Sequence, residues 1–141
     1  MSELTIKILR VACTTPTDSL AEGSTDEVGW RLIAKNAAGD KTLTKEEIPV
    51  ARLVGLKKGS DVKLNRELPP LGPQWESAVV EFWDKDSFSS DDLLGRIELE
   101  RKPGSEPDVR AGDTATDLGD GRFRLTGGGG DYMVWLGFAE G

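Results

Sequence analysis

The stretch VVEFWDKDSFSSDDLLGRIEL, residues 79–99, sets the reading of the whole chain. Its first part alternates Val80 and Phe82 against Glu81, a period of two that marks a half-buried strand. Its last part, LLGRIELE, is a second strand, and between the two lie four aspartates in nine positions, Asp84, Asp86, Asp91 and Asp92. Each carboxylate raises the cost of ionising its neighbours, so such a cluster calls for a compensating cation, strong hydrogen bonds or open solvent. On an extended chain leaving a strand, Asp84 and Asp86 point to the same side and can bracket one ion. Asp92 returns across the loop to close the site, and Asp91 faces away from it.

The nature of that ion follows from the donors. Calcium takes roughly 6 to 8 oxygen ligands at about 2.3 to 2.6 Å in flexible geometry, which suits loops of carboxylates and carbonyls, whereas magnesium is usually met by few carboxylates and several waters. The chain has no histidine and one cysteine, Cys13, which disfavours zinc, copper and iron, removes any imidazole base and leaves no disulfide framework. Cys13 is expected to pack as a small apolar residue. An EF-hand does not fit: the sixth loop position is Ser89 where a glycine belongs, the twelfth is Gly95 where a bidentate glutamate belongs, and the flanks read as strands. The plain alternative is a solvated turn, since Asp, Ser and Gly are ordinary loop residues.

Working outward, LTIKILRVA at the N-terminus alternates Leu4, Ile6 and Ile8 against polar residues. EVGWRLIAKN, ending in an AAGD turn, is another strand, and shorter ones are read at KTLTKEEI, VARLV and DVKLNREL. WESAVVEFWD and LLGRIELE follow, and RFRLT and DYMVWLGF complete a set of eight to nine. No segment sustains a 3.6 period. Many short strands with regular turn signals predict an all-β fold, an antiparallel sandwich or barrel, in one domain over residues 1–141. The polar stretch 103–121 reads as a long surface loop, and the four glycines Gly127–Gly130 as a tight hairpin with positive φ or a flexible connection.

With strand, D-x-D, loop, D and then Leu94-Gly95 in that order, VVEFWDKDSFSSDDLLGRIEL resembles the third calcium-binding loop of C2 domains. The resemblance implies an eight-stranded antiparallel β-sandwich with Greek-key connections, whose loops at one end hold calcium. It further implies ligands from the first loop, TPTDSLAEGSTDEVGWRLI, where Asp26 takes the second position and Asp18, or in its place Glu22, the first. The proline and tyrosine that usually follow the second aspartate are replaced by Glu27 and Val28, and LGPQW stands where the family has an NPxW turn, so the chain is similar to a divergent, bacterial C2-like domain. By the same resemblance Phe88 and Leu20, in the two loops, are the apolar tips that would insert into an anionic phospholipid membrane.

Charge adds a second expectation. Residues 31–66 hold nine Lys and Arg against four acids, a balance of +5, which leaves −12 on the rest of a chain whose total is −7. These lysines are solvated strand faces, or Lys35, Lys41, Lys45 and Lys63 form a basic patch for anionic lipid or an acidic partner. The N-terminus lacks the apolar core of a signal peptide and nothing approaches the roughly 18 apolar residues of a membrane span, so a cytoplasmic protein is expected, with signal-less export compatible. The functional expectation is a calcium-dependent, non-enzymatic binding module whose target is an anionic membrane or a protein, not nucleic acid. The alternatives are a metal-free interaction module of the same fold and, more weakly, a carboxylate enzyme of the glycoside-hydrolysing kind.

Overall fold

The computed structural model describes residues 3–17, 25–36, 42–47, 54–84, 92–102 and 106–140. Eleven strands run through them: β1 Leu4–Thr15, β2 Thr25–Asn36, β3 Thr42–Glu47, β4 Val54–Lys57, β5 Asp61–Glu67, β6 Trp75–Asp84, β7 Asp92–Glu100, β8 Asp108–Ala111, β9 Ala115–Gly119, β10 Arg122–Leu125 and β11 Asp131–Glu140. They form two sheets with antiparallel pairing throughout. One has the order β5-β1-β11-β10-β9; the other is β3-β2-β6-β7-β8, with β4 pairing a second stretch of β2. No α-helix occurs among the described residues, and the all-β sandwich read from the sequence is the observed fold.

Period two builds the core. Along β6, Ala78, Val80 and Phe82 face inward and are 0 to 2% exposed, and Asp84 continues the same row. Along β1 the inward residues are Leu4, Ile6 and Ile8, then Val11 and Cys13. The switch from even to odd numbers occurs where the register of β1 slips between Ile8 and Arg10, against both β11 and β5. This bulge is required: unbroken alternation would turn Arg10 and Ala12 inward and Val11 and Cys13 outward. With it, Arg10 lies on the outer face and pairs with Asp61 through its Nε at 2.6 Å and through its Nη2. Facing rows from β2 (Val28, Trp30, Leu32, Ala34), β7 (Leu94, Ile97, Leu99), β10 and β11 fill the space between the sheets.

The stretch 103–121, expected as a long surface loop, contains two strands in its described part, residues 106–121. Within it β8 pairs with β7, and β9 pairs with β10. Consecutive in the chain, these two short strands add one edge strand to each sheet and join the sheets along that flank. β3 and β4 share the other edge of β2, and the nine strand stretches read from the sequence gain β8 and β9 to make eleven.

The glycine run is a tight packed turn. Gly127–Gly129 form a single 3-10 turn between β10 and β11, with Gly128 and Gly129 at φ of 63° and 80°. Gly127 is pressed on β7 so closely that a Cβ there would sit 2.0 Å from the Leu93 carbonyl oxygen. Gly127→Ala must therefore displace backbone, and is expected to cost about 3 kcal/mol and to lower Tm by on the order of 10 °C. Gly72→Ala, where an added Cβ meets nothing within 4 Å, should leave Tm unchanged in the same thermal melt.

Candidate functional site

Because β2, β6 and β7 are neighbours, the register fixes where the acids fall. Asp84, the last residue of β6, has Val28 of β2 on one side and Asp92, the first residue of β7, on the other. Asp26 lies two residues before Val28, past the end of β6. Three aspartates on three adjacent strands thus fall at one end of the six-stranded sheet, the end at which β6 finishes and β2 and β7 begin.

Asp84 has the most defined surroundings. It is 7% exposed, because it occupies the next inward position of β6 after Phe82. A buried carboxylate needs partners, since desolvation disfavours its charged form. One is Thr17, in the segment that follows β1, whose hydroxyl donates to Asp84 Oδ2 at 2.7 Å. The residues just past β1 and the end of β6 are therefore physically coupled through this carboxylate. Thr17 is a residue that motif reasoning overlooked; a hydroxyl two residues beyond a strand carries no signal of its own in the sequence.

Of the residues singled out from the sequence, Asp84, Asp92 and Asp26 are brought to this end by the register. Asp18, Glu22, Asp86, Asp91, Phe88, Leu20 and Lys41 lie outside the described residues. The basic patch does not assemble as four lysines on neighbouring strands. Lys35 is on β2, and Lys45 is on β3 opposite Ile33, so these two share the six-stranded sheet. Lys63 lies exposed on β5, in the other sheet, because the chain crosses between sheets after β4: β4 pairs with β2 and β5 with β1.

The outer face of the six-stranded sheet carries a second buried acid that sequence reasoning passed over. Glu81, also 7% exposed, is held by Arg96, whose Nη2 lies 2.8 Å and Nε 3.0 Å from Oε2, and by the indole of Trp83, which donates to Oε1 at 3.3 Å. Arg31 approaches Oε1 at 3.9 Å, and Asp113, in the turn between β8 and β9, takes Arg96 Nη1 at 3.1 Å. Beside this network runs a groove of about 260 Å3 lined by Ile33, Lys35, Ser77, Val79 and Glu98 among others. The network ties β6, β7 and the β8–β9 turn together. No local sequence pattern announces it, since Glu81 and Arg96 are 15 residues apart.

No family model matches the chain, and no curated protein matches it. Among solved structures, one titled "Structure of a C2 domain" aligns over 99% of this chain and 98% of its own, at 17% identity and a TM-score of 0.49. Human GIVD cytosolic phospholipase A2 aligns over 96% of this chain at 17% identity and a TM-score of 0.50. The chain spans 16% of that enzyme's length. Likeness at this identity is a likeness of fold, and with the two antiparallel sheets it makes the fold C2-like. No helix among the described residues is long and apolar enough to cross a membrane.

The Glu81 network yields a direct test. Removing one partner of a buried ion pair costs far more than replacing both with apolar groups. Arg96→Met alone is expected to destabilise by about 2 to 3 kcal/mol in urea unfolding, between the values for exposed and buried pairs. Glu81→Leu with Arg96→Met should regain most of that loss.

Proposed function

We propose that this chain is a calcium-dependent binding module that docks to an anionic membrane or to a protein and carries out no catalytic step. The observation that supports it is the register of β2, β6 and β7, with Asp26, Asp84 and Asp92 at one end of one sheet and Asp84 tied to the loop after β1 through Thr17. The donors fit the ion in kind: they are carboxylate oxygens on strand ends and loops, and no histidine competes for a softer metal. In this reading Asp84, Asp86 and Asp92 hold calcium from the β6–β7 side and Asp26 and Asp18 from the β1–β2 side. Calcium held there would supply positive charge that offsets the clustered carboxylates and attracts a phosphate or carboxylate of the target. Phe88 and Leu20, within the same two loops, are the proposed apolar contacts with a bilayer.

The chain's own residues do the preparatory work. The Thr17 hydroxyl orients Asp84 and keeps one carboxylate oxygen hydrogen-bonded near the core. The inward row Ala78, Val80 and Phe82 fixes the strand beneath it, and with it the backbone position from which the carboxylate projects. The same Thr17 bond favours a second reading, a metal-free interaction module of this fold, because it gives Asp84 a structural partner of its own.

A thermal melt separates the two. A ligand that binds only the folded chain, at about 100 times its Kd, adds roughly 2.7 kcal/mol, which raises Tm by on the order of 10 °C for a domain of this size. Wild-type protein is expected to gain this in millimolar calcium over EDTA, and little of it in magnesium. Asp84→Asn with Asp86→Asn should lose the gain while melting near wild type in EDTA, because asparagine at 84 can still accept the Thr17 hydroxyl. Equal wild-type melting temperatures in calcium and EDTA would favour the metal-free reading.

A further inference from the structure

The outer face of the five-stranded sheet is organised around one transverse row. The register sets Lys63 on β5 opposite Arg10 on β1, Arg10 opposite Trp135 on β11, and Trp135 opposite Arg122 on β10. The middle of the row is locked. The Arg10 guanidinium lies 4.4 Å from the centre of the Trp135 ring and is paired with both carboxylate oxygens of Asp61. That pairing holds the Asp61 carboxyl below the usual carboxylate range, chiefly through the hydrogen bond from Arg10. The ends of the row are different. Lys63 and Arg122 are exposed and make no ion pair within 4 Å among the described residues, and Arg122 has a long hydrogen bond of 3.5 Å to the Leu118 carbonyl. Two exposed cations, of which Lys63 also contributes a lesser pull on the Asp61 carboxyl, therefore flank a rigid apolar and aromatic centre, on a chain whose net charge is −7.

Spacing selects the partner. Adjacent strands lie about 4.7 to 4.9 Å apart, so three steps from β5 to β10 separate the two cations' backbone positions by about 14 Å. In an extended peptide, residues i and i+4 are on one face and about 13 to 14 Å apart, with i+2 between them on the same face. We propose that this face docks an extended acidic protein segment lying across the strands, with carboxylates at i and i+4 on Lys63 and Arg122 and a small apolar residue at i+2 over the Arg10–Trp135 pair. Two other anionic partners fit less well. A bilayer would meet the whole face at once, including Asp61, Glu67 and Asp131, the last already paired with Arg124 at 2.7 Å. A peptide can place its carboxylates at Lys63 and Arg122, and Asp61, already held by both Arg10 nitrogens, leaves the outer end of the Lys63 side chain to it. Nucleobases would need the Trp135 ring face, which Arg10 already covers on one side.

The test uses the whole chain in EDTA at low salt, so that it is independent of the calcium reading. A short fluorescein-labelled peptide with Glu at i and i+4, Val at i+2 and Thr elsewhere is titrated by fluorescence anisotropy. Wild-type protein is expected to bind it, and binding should weaken as salt approaches about 0.15 M. Lys63→Gln with Arg122→Gln, at exposed positions without ion pairs, should bind about tenfold more weakly, as expected for two exposed charge contacts. Lys35→Gln, on the other sheet, should bind like wild type. Equal binding by the double variant would overturn the proposal, as would equal binding of a control peptide with its two glutamates adjacent. So would wild-type protein that ignores the peptide yet sediments with phosphatidylserine vesicles in EDTA, which would make the face a lipid surface.

Discussion

A carboxylate in a core-facing position of a central strand constrains everything around it, and Asp84 is in that position. It follows Val80 and Phe82 on the inward row of β6, at the last place before the strand leaves the sandwich, and is 7% exposed. Burying a charged group without partners costs several kcal/mol or forces it to take up a proton. The end of the sandwich must therefore supply partners, and the Thr17 hydroxyl, from the β1 side, is one of them; the register adds to the demand, since it sets Asp92 opposite Asp84 and Asp26 two residues before Val28 on β2. Asp84 is buried because β6 continues its alternation one position past its apolar core, and the register of β2 and β7 adds Asp26 and Asp92 to the same end.

The same strand shows the contrasting solution on its other face. Glu81 is as deeply buried as Asp84, but its neighbours are Arg96, Arg31 and the Trp83 indole, all supplied within the sheet. A carboxylate neutralised in this way has a structural task and is poorly placed to recruit a metal. β6 therefore carries two equally buried acids in different surroundings, Glu81 among two guanidinium groups and an indole, and Asp84 beside the Thr17 hydroxyl. On the other sheet the β1 bulge performs a related sorting, sending Arg10 outward to Asp61 and Trp135 while returning Val11 to the core.

How much of this was legible in the sequence depended on whether the signal was local. The alternation in Leu4, Ile6 and Ile8 and in Val80 and Phe82 gave the strands and the sandwich directly, and the D-x-D at a strand end located the acidic end. The β1 bulge was not legible, because LTIKILRVA contains apolar residues of both parities around Leu9 and the choice between them is made by β5 and β11. β8 and β9 were hidden in a polar stretch because edge strands with little buried surface, such as Ala115–Gly119, need no alternation. The basic segment misled for a different reason: Lys35 and Lys63 are close in sequence, but the crossover between β4 and β5 sends them to different sheets. Contacts such as Thr17 to Asp84, 67 residues apart, are decided by topology and leave no trace in composition.

The central claim is that cation binding is located at the Asp84 end of the six-stranded sheet. Backbone amide chemical shifts followed during a calcium titration of the isotope-labelled chain test it residue by residue. The account predicts saturable shifts at Thr17, Asp26, Asp84, Asp92 and their immediate neighbours, with Glu81, Arg96 and the Lys63–Arg122 row unmoved. Shifts that fail to saturate, or that gather around Glu81 or along the other sheet and leave Asp84 and Thr17 unchanged, would contradict it.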